Sequence, residues 1–206
     1  MPREKIVITG LGAVAPNGND VNQFWNSLKS GKSGIKPITY FDSSNHKVKI
    51  AGELNNFKAE TILDPKDVRK LDNFSIYAIT ATQEALNMSG IDIEKIDPDR
   101  AGVTIGTGVG GIQTLEEQHN VIENRGARRV SPQFVPRMIA NIAGGHLSMR
   151  FGFQGPNQTV TSACASATDA IGIAMRLIIS GDADIMITGG TEASITPLTI
   201  AGFANM

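Results

Sequence analysis

Short runs of β-branched and other apolar residues alternate along this chain with longer stretches in which apolar side chains recur every three or four positions. Four runs read as strands: "KIVITGLG" (5–12), "AGVTIGTG" (101–108), "QTVTS" (158–162) and "ADIMITGG" (183–190). They are largely continuous in apolar character and end in small residues, the pattern of parallel strands buried on both faces. Between them, Val21, Phe24, Trp25 and Leu28 fall at i, i+3, i+4 and i+7 after the turn "NGND", which predicts an amphipathic helix. A longer helix is predicted from Asp64 as N-cap and Pro65 at its first position to Gly90, with further helical patterns at 111–124 and 133–149. The segment "ASATDAIGIAMRLIISG", apolar nearly all round and stopped by Gly181, predicts a buried helix. The expected fold is α/β, a mostly parallel sheet covered by helices on both faces and joined by right-handed crossovers. Residues 31–60 read as the loosest region, and no tandem repeat or linker divides residues 1–206.

Composition narrows the function classes. The 206 residues, 41% hydrophobic and 19% charged, suffice for a substantial core, and a formal net charge of −1 argues against partners held by bulk positive charge, such as nucleic acid or a membrane surface. The single cysteine excludes an internal disulfide framework and fits a reducing compartment. The polar start "MPREK" does not read as a signal peptide, and no apolar run reads as long enough to span a bilayer, so the cytoplasm is the expected location.

Three glycine motifs invite a nucleotide reading. Gly106-x-Gly108-x-x-Gly111 follows a strand and opens a helix, as a dinucleotide fingerprint requires. The strand ending in Asp or Glu that should follow is replaced by "NRGARRVSPQFVP", with Pro132 and Pro136 in its place. Gly10-x-Gly12-x-x-Ala15 is separated from the next helix by Pro16 and "NGND", and "GKS" at 31–33 follows a helix rather than a strand. The glycines at 106–111 therefore read as a backbone turn, either a plain one or one beside a pocket.

A lone cysteine on an apolar segment is usually a small buried hydrophobe. Cys164, however, stands where the strand "QTVTS" passes into the apolar helix, among Ser162, Ala163, Ala165 and Ser166. Unsatisfied N–H groups and the dipole at a helix start favour an anion there, and the same N–H groups can receive an oxyanion when a carbonyl is attacked. Small neighbours suit a sharp turn that presents a nucleophile, as glycines do in hydrolase elbows. No base is evident. His46, His119 and His146 are the only histidines, and nothing in their spacing pairs one of them with Cys164.

"TVTSACASATDAIG", together with "KIVITGLGAVAPNG", "GTGVGG", "SPQFVP" and "GGTEAS", closely resembles the N-terminal half of β-ketoacyl-acyl-carrier-protein synthases, most nearly the synthase II type, in order and over the whole chain. The resemblance implies a thiolase-like half-fold over 1–206, with Cys164 as the acyl-accepting nucleophile of a decarboxylative condensation. An acyl group passes from acyl carrier protein to Cys164, malonyl-carrier protein loses carbon dioxide, and the carbanion gives a 3-oxoacyl product two carbons longer. It implies no cofactor and no metal. Gly108, Val109 and Gly110 then line the acyl pocket, with Val109 at the chain-length-sensing position. Phe134 reaches the pocket across a homodimer interface at which "QTVTS" pairs across the two-fold, and Phe203 gates the nucleophile. Lys66, Arg69 and Lys70, at i, i+3 and i+4, and Arg128 with Arg129 match basic positions that dock the acidic carrier protein. The family's second half carries two histidines and a lysine that this chain does not supply. The 206 residues are accordingly expected to hold the nucleophile without performing the full condensation, and to expose a large apolar face that favours self-association. A non-catalytic dimerisation scaffold of the same fold and a dinucleotide-dependent oxidoreductase remain as alternatives; chain-length-factor scaffolds usually lack the cysteine.

Overall fold

The structure, a computed structural model, describes residues 5–206. A small antiparallel pair, β1 (Lys36–Pro37) and β2 (Ile50–Ala51), stands apart from the main sheet. That sheet holds three parallel strands: β3 (Ala101–Gly106) in the centre, β4 (Asn157–Val160) on one side and β5 (Ile185–Gly190) on the other. All six β3 residues are buried, as expected of a central parallel strand covered on both faces. Register pairs Gly106 with Val160 and with Gly190, so the three carboxyl ends, and the loops that follow them, lie side by side.

The helices are α1 (Val21–Lys29), α2 (Pro65–Val68), α3 (Asn73–Ser89), α4 (Ile112–Arg125), α5 (Phe134–Met138), α6 (Ile142–Phe151), α7 (Ser166–Ser180) and α8 (Pro197–Ala204). Ala101, Val103 and Ile105 turn to one sheet face and form the core with Phe74, Ile76 and Ile79 of α3 and Ala143, Leu147 and Phe151 of α6. Gly106, on the opposite face by strand alternation, meets α7, whose Ser166, Ala170 and Ala174 are buried. The α/β expectation, with helices on both faces of a parallel sheet, is met. Arg100 fixes one corner: its Nε and Nη2 donate to the Asp184 carboxylate at 3.0 and 2.5 Å, and its Nη1 donates to the Gly181 carbonyl at 2.8 Å. That hydrogen-bonded guanidinium holds the Asp184 carboxyl below its ordinary range.

Several expectations are corrected. Residues 5–12 form no strand among the described residues; instead the segment runs over α3 at backbone contact. A Cβ on Gly10 would stand 1.9 Å from the Ala85 carbonyl oxygen, and one on Gly12 1.7 Å from that of Ala81. The glycines thus serve a close chain crossing rather than a sheet or a phosphate site. Helix 64–90 keeps its predicted caps, Asp64 and the left-handed Gly90, but breaks at 69–72 because Asp72 caps a second helix, accepting from the Phe74 N–H at 3.2 Å. The 133–149 pattern likewise divides into α5 and α6, with an extended Ile139 between them.

The predicted apolar stripe of α1 is not a core face. Glu84 tethers the start of the helix by accepting the Val21 N–H at 2.8 Å and the Ala13 N–H at 2.9 Å, and in this orientation Ser27 is buried while Trp25 and Leu28 are exposed. Residues 31–60 are organised rather than loose: the buried Glu53 carboxylate accepts both Thr39 and Tyr40 N–H groups at 2.9 Å and the Thr39 hydroxyl at 2.7 Å. Helix α7 is buried on one side only, since the sheet covers one side, and Ile171, Met175 and Ile179 are exposed. By length and composition the 18 residues Ala163–Ser180 would suffice to cross a bilayer, contrary to expectation. Here their small side chains seat the helix on the sheet. Val7, Ile8, Ile179 and Leu198 are exposed.

Candidate active site

At the carboxyl end of the sheet, β4 leads into a single 3-10 turn, Ala163–Ala165, and then directly into α7. Ala163 has φ +53°, one of two non-glycine residues in the left-handed region among those described. Such a conformation costs on the order of 1 kcal/mol and persists where the surroundings impose it. The surroundings here are hydrogen bonds through Ser166, which is buried: its Oγ accepts the Ser162 N–H at 2.9 Å and lies 2.7 Å from the Ala163 carbonyl and 3.2 Å from the Thr107 carbonyl as donor. The Ser162 hydroxyl donates to the Asp169 carboxylate in the first turn of α7. The turn projects the exposed Cys164 two residues ahead of Ser166, the first residue of α7, beside amides that have no partner four residues back.

Two glycines make this approach possible. A Cβ on Gly106 would lie 2.3 Å from the Ser166 carbonyl carbon, and one on Gly190 2.6 Å from the Ala167 Cβ. Both strand ends therefore let the start of α7 sit against the sheet.

Cys164 opens onto a cleft of roughly 640 Å³ lined in the main by apolar surface, which Gly108, Val109, Glu192 and Phe203 also line. Cys164, Gly108, Val109 and Phe203, singled out from the sequence, are thus brought together. Val109 and Phe203 are 53% and 68% exposed, so their apolar surfaces face the cleft without being packed away. Gly110 is not in the lining. It is buried at φ +82°, where a Cβ would lie 2.9 Å from the Ala140 Cα, and it makes the turn that carries the loop into α4. Phe134, half-buried at the start of α5, does not line the cleft of its own chain.

None of the three histidines lines the cleft. His46 Nε2 lies 3.2 Å from the Pro197 carbonyl, His119 is exposed, and His146 lies half-buried in α6 beside Leu63 and Lys70. Burial holds the His146 imidazole below its ordinary range. The described residues also include no cluster of side chains suited to a metal ion.

The basic residues are exposed, but not as one helical face. Helix α2 ends at Val68, Arg69 is its C-cap, and Lys70 lies beyond it, paired with Asp67 at 3.1 Å. Lys66 and Arg69 form no ion pair among the described residues, and neither do Arg128 and Arg129 in the 3-10 turn after α4.

The residue that sequence reasoning passed over is Glu192. Its Oε2 accepts the Gly108 N–H at 2.7 Å and the Val109 N–H at 3.0 Å. These are the amides that a dinucleotide pyrophosphate would need, and a carboxylate already occupies their anion position, which removes the basis for the nucleotide reading.

A thiol on a strained strand-to-helix turn thus faces an apolar cleft at the carboxyl end of a parallel sheet, an arrangement whose fold is shared with thiolase-like ketosynthases. A solved structure described as the ishigamide ketosynthase/chain length factor matches with a TM-score of 0.89 at 25% identity, over 98% of this chain and 51% of its own. Another, described as a type II PKS acyl-carrier protein in complex with its ketosynthase, matches with a TM-score of 0.83 at 26% identity, over 97% of this chain and 54% of its own. The chain belongs to the β-ketoacyl synthase family: residues 3–206 match the family's N-terminal domain. Among curated relatives, the 3-oxoacyl-[acyl-carrier-protein] synthase 2 of Synechocystis sp. is 43% identical over all of this chain and 49% of its own length. The Staphylococcus aureus enzyme of the same name is 46% identical over 98% of this chain and 49% of its own. The chain thus spans about half the length of the curated relatives it matches.

Proposed function

We propose that Cys164 accepts an acyl group from acyl carrier protein, the first half-reaction of a 3-oxoacyl-acyl-carrier-protein synthase that lengthens fatty acyl chains by decarboxylative condensation. The observation that carries this reading is the placement of Cys164, Val109 and Phe203 on one cleft at the start of α7. The Cys164 sulfur attacks the thioester carbonyl, the new S–C bond replaces the carrier's, and the carrier thiol leaves with the proton. Amides at the α7 start stabilise the oxyanion between these events, and Val109 and Phe203 take the apolar chain. With no histidine in the cleft, these residues supply the nucleophile and the pocket; condensation with the malonyl unit belongs to the whole protein's activity.

The carrier protein docks on Lys66 and Arg69, which form no ion pair among the described residues, with Arg128 and Arg129 as a second basic spot; Lys70 contributes less because Asp67 neutralises it. The solved complex of a related ketosynthase with its acyl carrier protein supports a partner of this kind. The protein works in the cytoplasm and as a homodimer: among the described residues β4 pairs only with β3 and so leaves an open edge for a partner strand, while Phe134 reaches the partner's pocket.

The test compares two acyl donors. Reversing both charges, Lys66→Glu with Arg69→Glu, raises the half-saturating concentration of acyl-carrier protein roughly tenfold at low salt, and less at high salt. Transfer from a small acyl thioester, which needs no docking, stays unchanged. Equal use of the carrier by the variant and the parent chain would rule out this docking site.

A further inference from the structure

The clamp at Glu192 has no counterpart in the chemistry of the thiol, yet it shapes the wall of the cleft beside it. Oε2 of Glu192 takes three donors from one loop: the Gly108 and Val109 amides and, at 3.3 Å, the Thr107 hydroxyl. Thr107 Oγ1 in turn accepts the Gly110 N–H at 3.1 Å, so a single carboxylate organises residues 107–110. Hydrogen bonds to an ionised acceptor are roughly twice as strong as neutral ones. The base of the clamp is itself fixed. The Thr191 N–H donates to the Gly106 carbonyl at 3.0 Å and the Thr191 hydroxyl to the Phe74 carbonyl at 2.6 Å, tying the end of β5 to β3 and to the start of α3. Gly108 is matched to the carboxylate: a Cβ there would stand 3.0 Å from Oε2, with no atom beyond its chain neighbours otherwise within 4 Å.

We infer that Glu192 is a positioning residue for acyl transfer: it clamps the 107–110 loop so that Val109 forms a rigid wall of the cleft beside Cys164. The acyl-transfer part of this inference rests on the proposed function; the clamp itself does not. Without the carboxylate, the Gly108 and Val109 amides lose their acceptor, while the flanks of the loop keep the Thr107 N–H to the Val160 carbonyl at 3.0 Å, the Ser166 contact and the Gly110 N–H to Thr107 Oγ1. Val109 then no longer presents a fixed surface to the chain, although Cys164 keeps its own turn.

The experiment uses the full chain with Glu192→Ala and Glu192→Gln. It reads amide hydrogen exchange over 107–111, the rate of Cys164 acylation by a medium-chain acyl thioester, and Cys164 alkylation by iodoacetamide. In Glu192→Ala, exchange over 107–111 rises and acylation falls, each roughly tenfold, the size expected for losing hydrogen bonds to a charged acceptor. Alkylation, which needs no pocket, stays within about twofold. Glu192→Gln restores exchange and acylation to within about threefold, since its amide oxygen accepts the same N–H groups. Unchanged exchange in Glu192→Ala overturns the clamp. Raised exchange with unchanged acylation keeps the clamp and overturns its role in transfer. A parent chain that is alkylated but never acylated, with exchange responding as stated, overturns the proposed function and leaves the clamp standing.

Discussion

Replacing Gly106 with alanine destabilises the chain by about 3 kcal/mol, the upper end of overpacking costs, and lowers Tm by roughly 10 °C. The added Cβ would stand 2.3 Å from both the carbonyl carbon and the carbonyl oxygen of Ser166 and 2.6 Å from the Ala167 nitrogen. These are backbone atoms, so no rotamer relieves the overlap and α7 must move off the sheet. That shift pulls Ser166 away from the Thr107 carbonyl and disturbs the Ala163–Ala165 turn, so Cys164 acylation falls with stability. Gly172→Ala, in the second turn of the same helix with nothing beyond that helix's own backbone within 4 Å of the new Cβ, has the opposite sign. It stabilises by about 0.5–1 kcal/mol, because alanine gives up less backbone freedom than glycine in a helix. Thermal unfolding of the two variants beside the parent reads the difference. Equal Tm values would show that α7 does not seat on Gly106.

Asp72→Ala has an effect of similar size and reaches the site from the other side of the sheet. Asp72 is 2% exposed, and no cation pairs with it among the described residues. Its carboxylate accepts the Phe74 N–H, the Thr114 N–H at 3.1 Å and the Thr114 hydroxyl at 2.5 Å, joining the starts of α3 and α4. A buried carboxylate is tolerated there because these donors replace water. Truncation leaves three donors without an acceptor, at about 1–3 kcal/mol each before relaxation, for a net loss of about 3 kcal/mol. Asp72→Asn falls between. One amide oxygen caps α3, while the NH2 group faces the Thr114 N–H as a second donor and leaves it unsatisfied. Denaturant unfolding resolves the order, parent above Asn above Ala. Since α4 begins where the 107–111 loop ends, acylation falls in the same order. An Asn variant as stable as the parent would show that the Thr114 contacts contribute nothing.

What the sequence made legible was local. Three of the four predicted strands, the caps at Asp64, Gly90 and Gly181, and the strand-to-helix turn around Cys164 follow from apolar runs, small residues and capping chemistry that act within a few positions. The exceptions depend on partners distant in sequence. "KIVITGLG" has the side chains of a strand, but a strand also needs a neighbour, and Gly10 and Gly12 instead bring the segment onto α3. Asp72 was readable as an N-cap inside the 64–90 pattern, since it precedes an apolar helical run; its second task, holding Thr114 forty-two positions away, was not. Glu192 is the clearest case. It follows "GG" at the end of one strand and serves the glycine loop at the end of another, a relation that exists only once β3 and β5 are known to be parallel neighbours. An acidic residue just past one strand, facing a glycine loop past the adjacent strand, is the signal that could have found it. The basic residues lie at the surface, but the i, i+3, i+4 pattern overstated their alignment, because α2 stops after four residues.

The central claim is that Cys164 is an acyl-accepting nucleophile, and the intact mass of the chain after incubation with a medium-chain acyl thioester tests it most directly. Cys164→Ala and an iodoacetamide-treated sample accompany it. One acyl adduct is expected on the parent chain, absent from Cys164→Ala and blocked by prior alkylation. An alkylatable Cys164 that takes no acyl group, or an adduct that persists in Cys164→Ala, would contradict it.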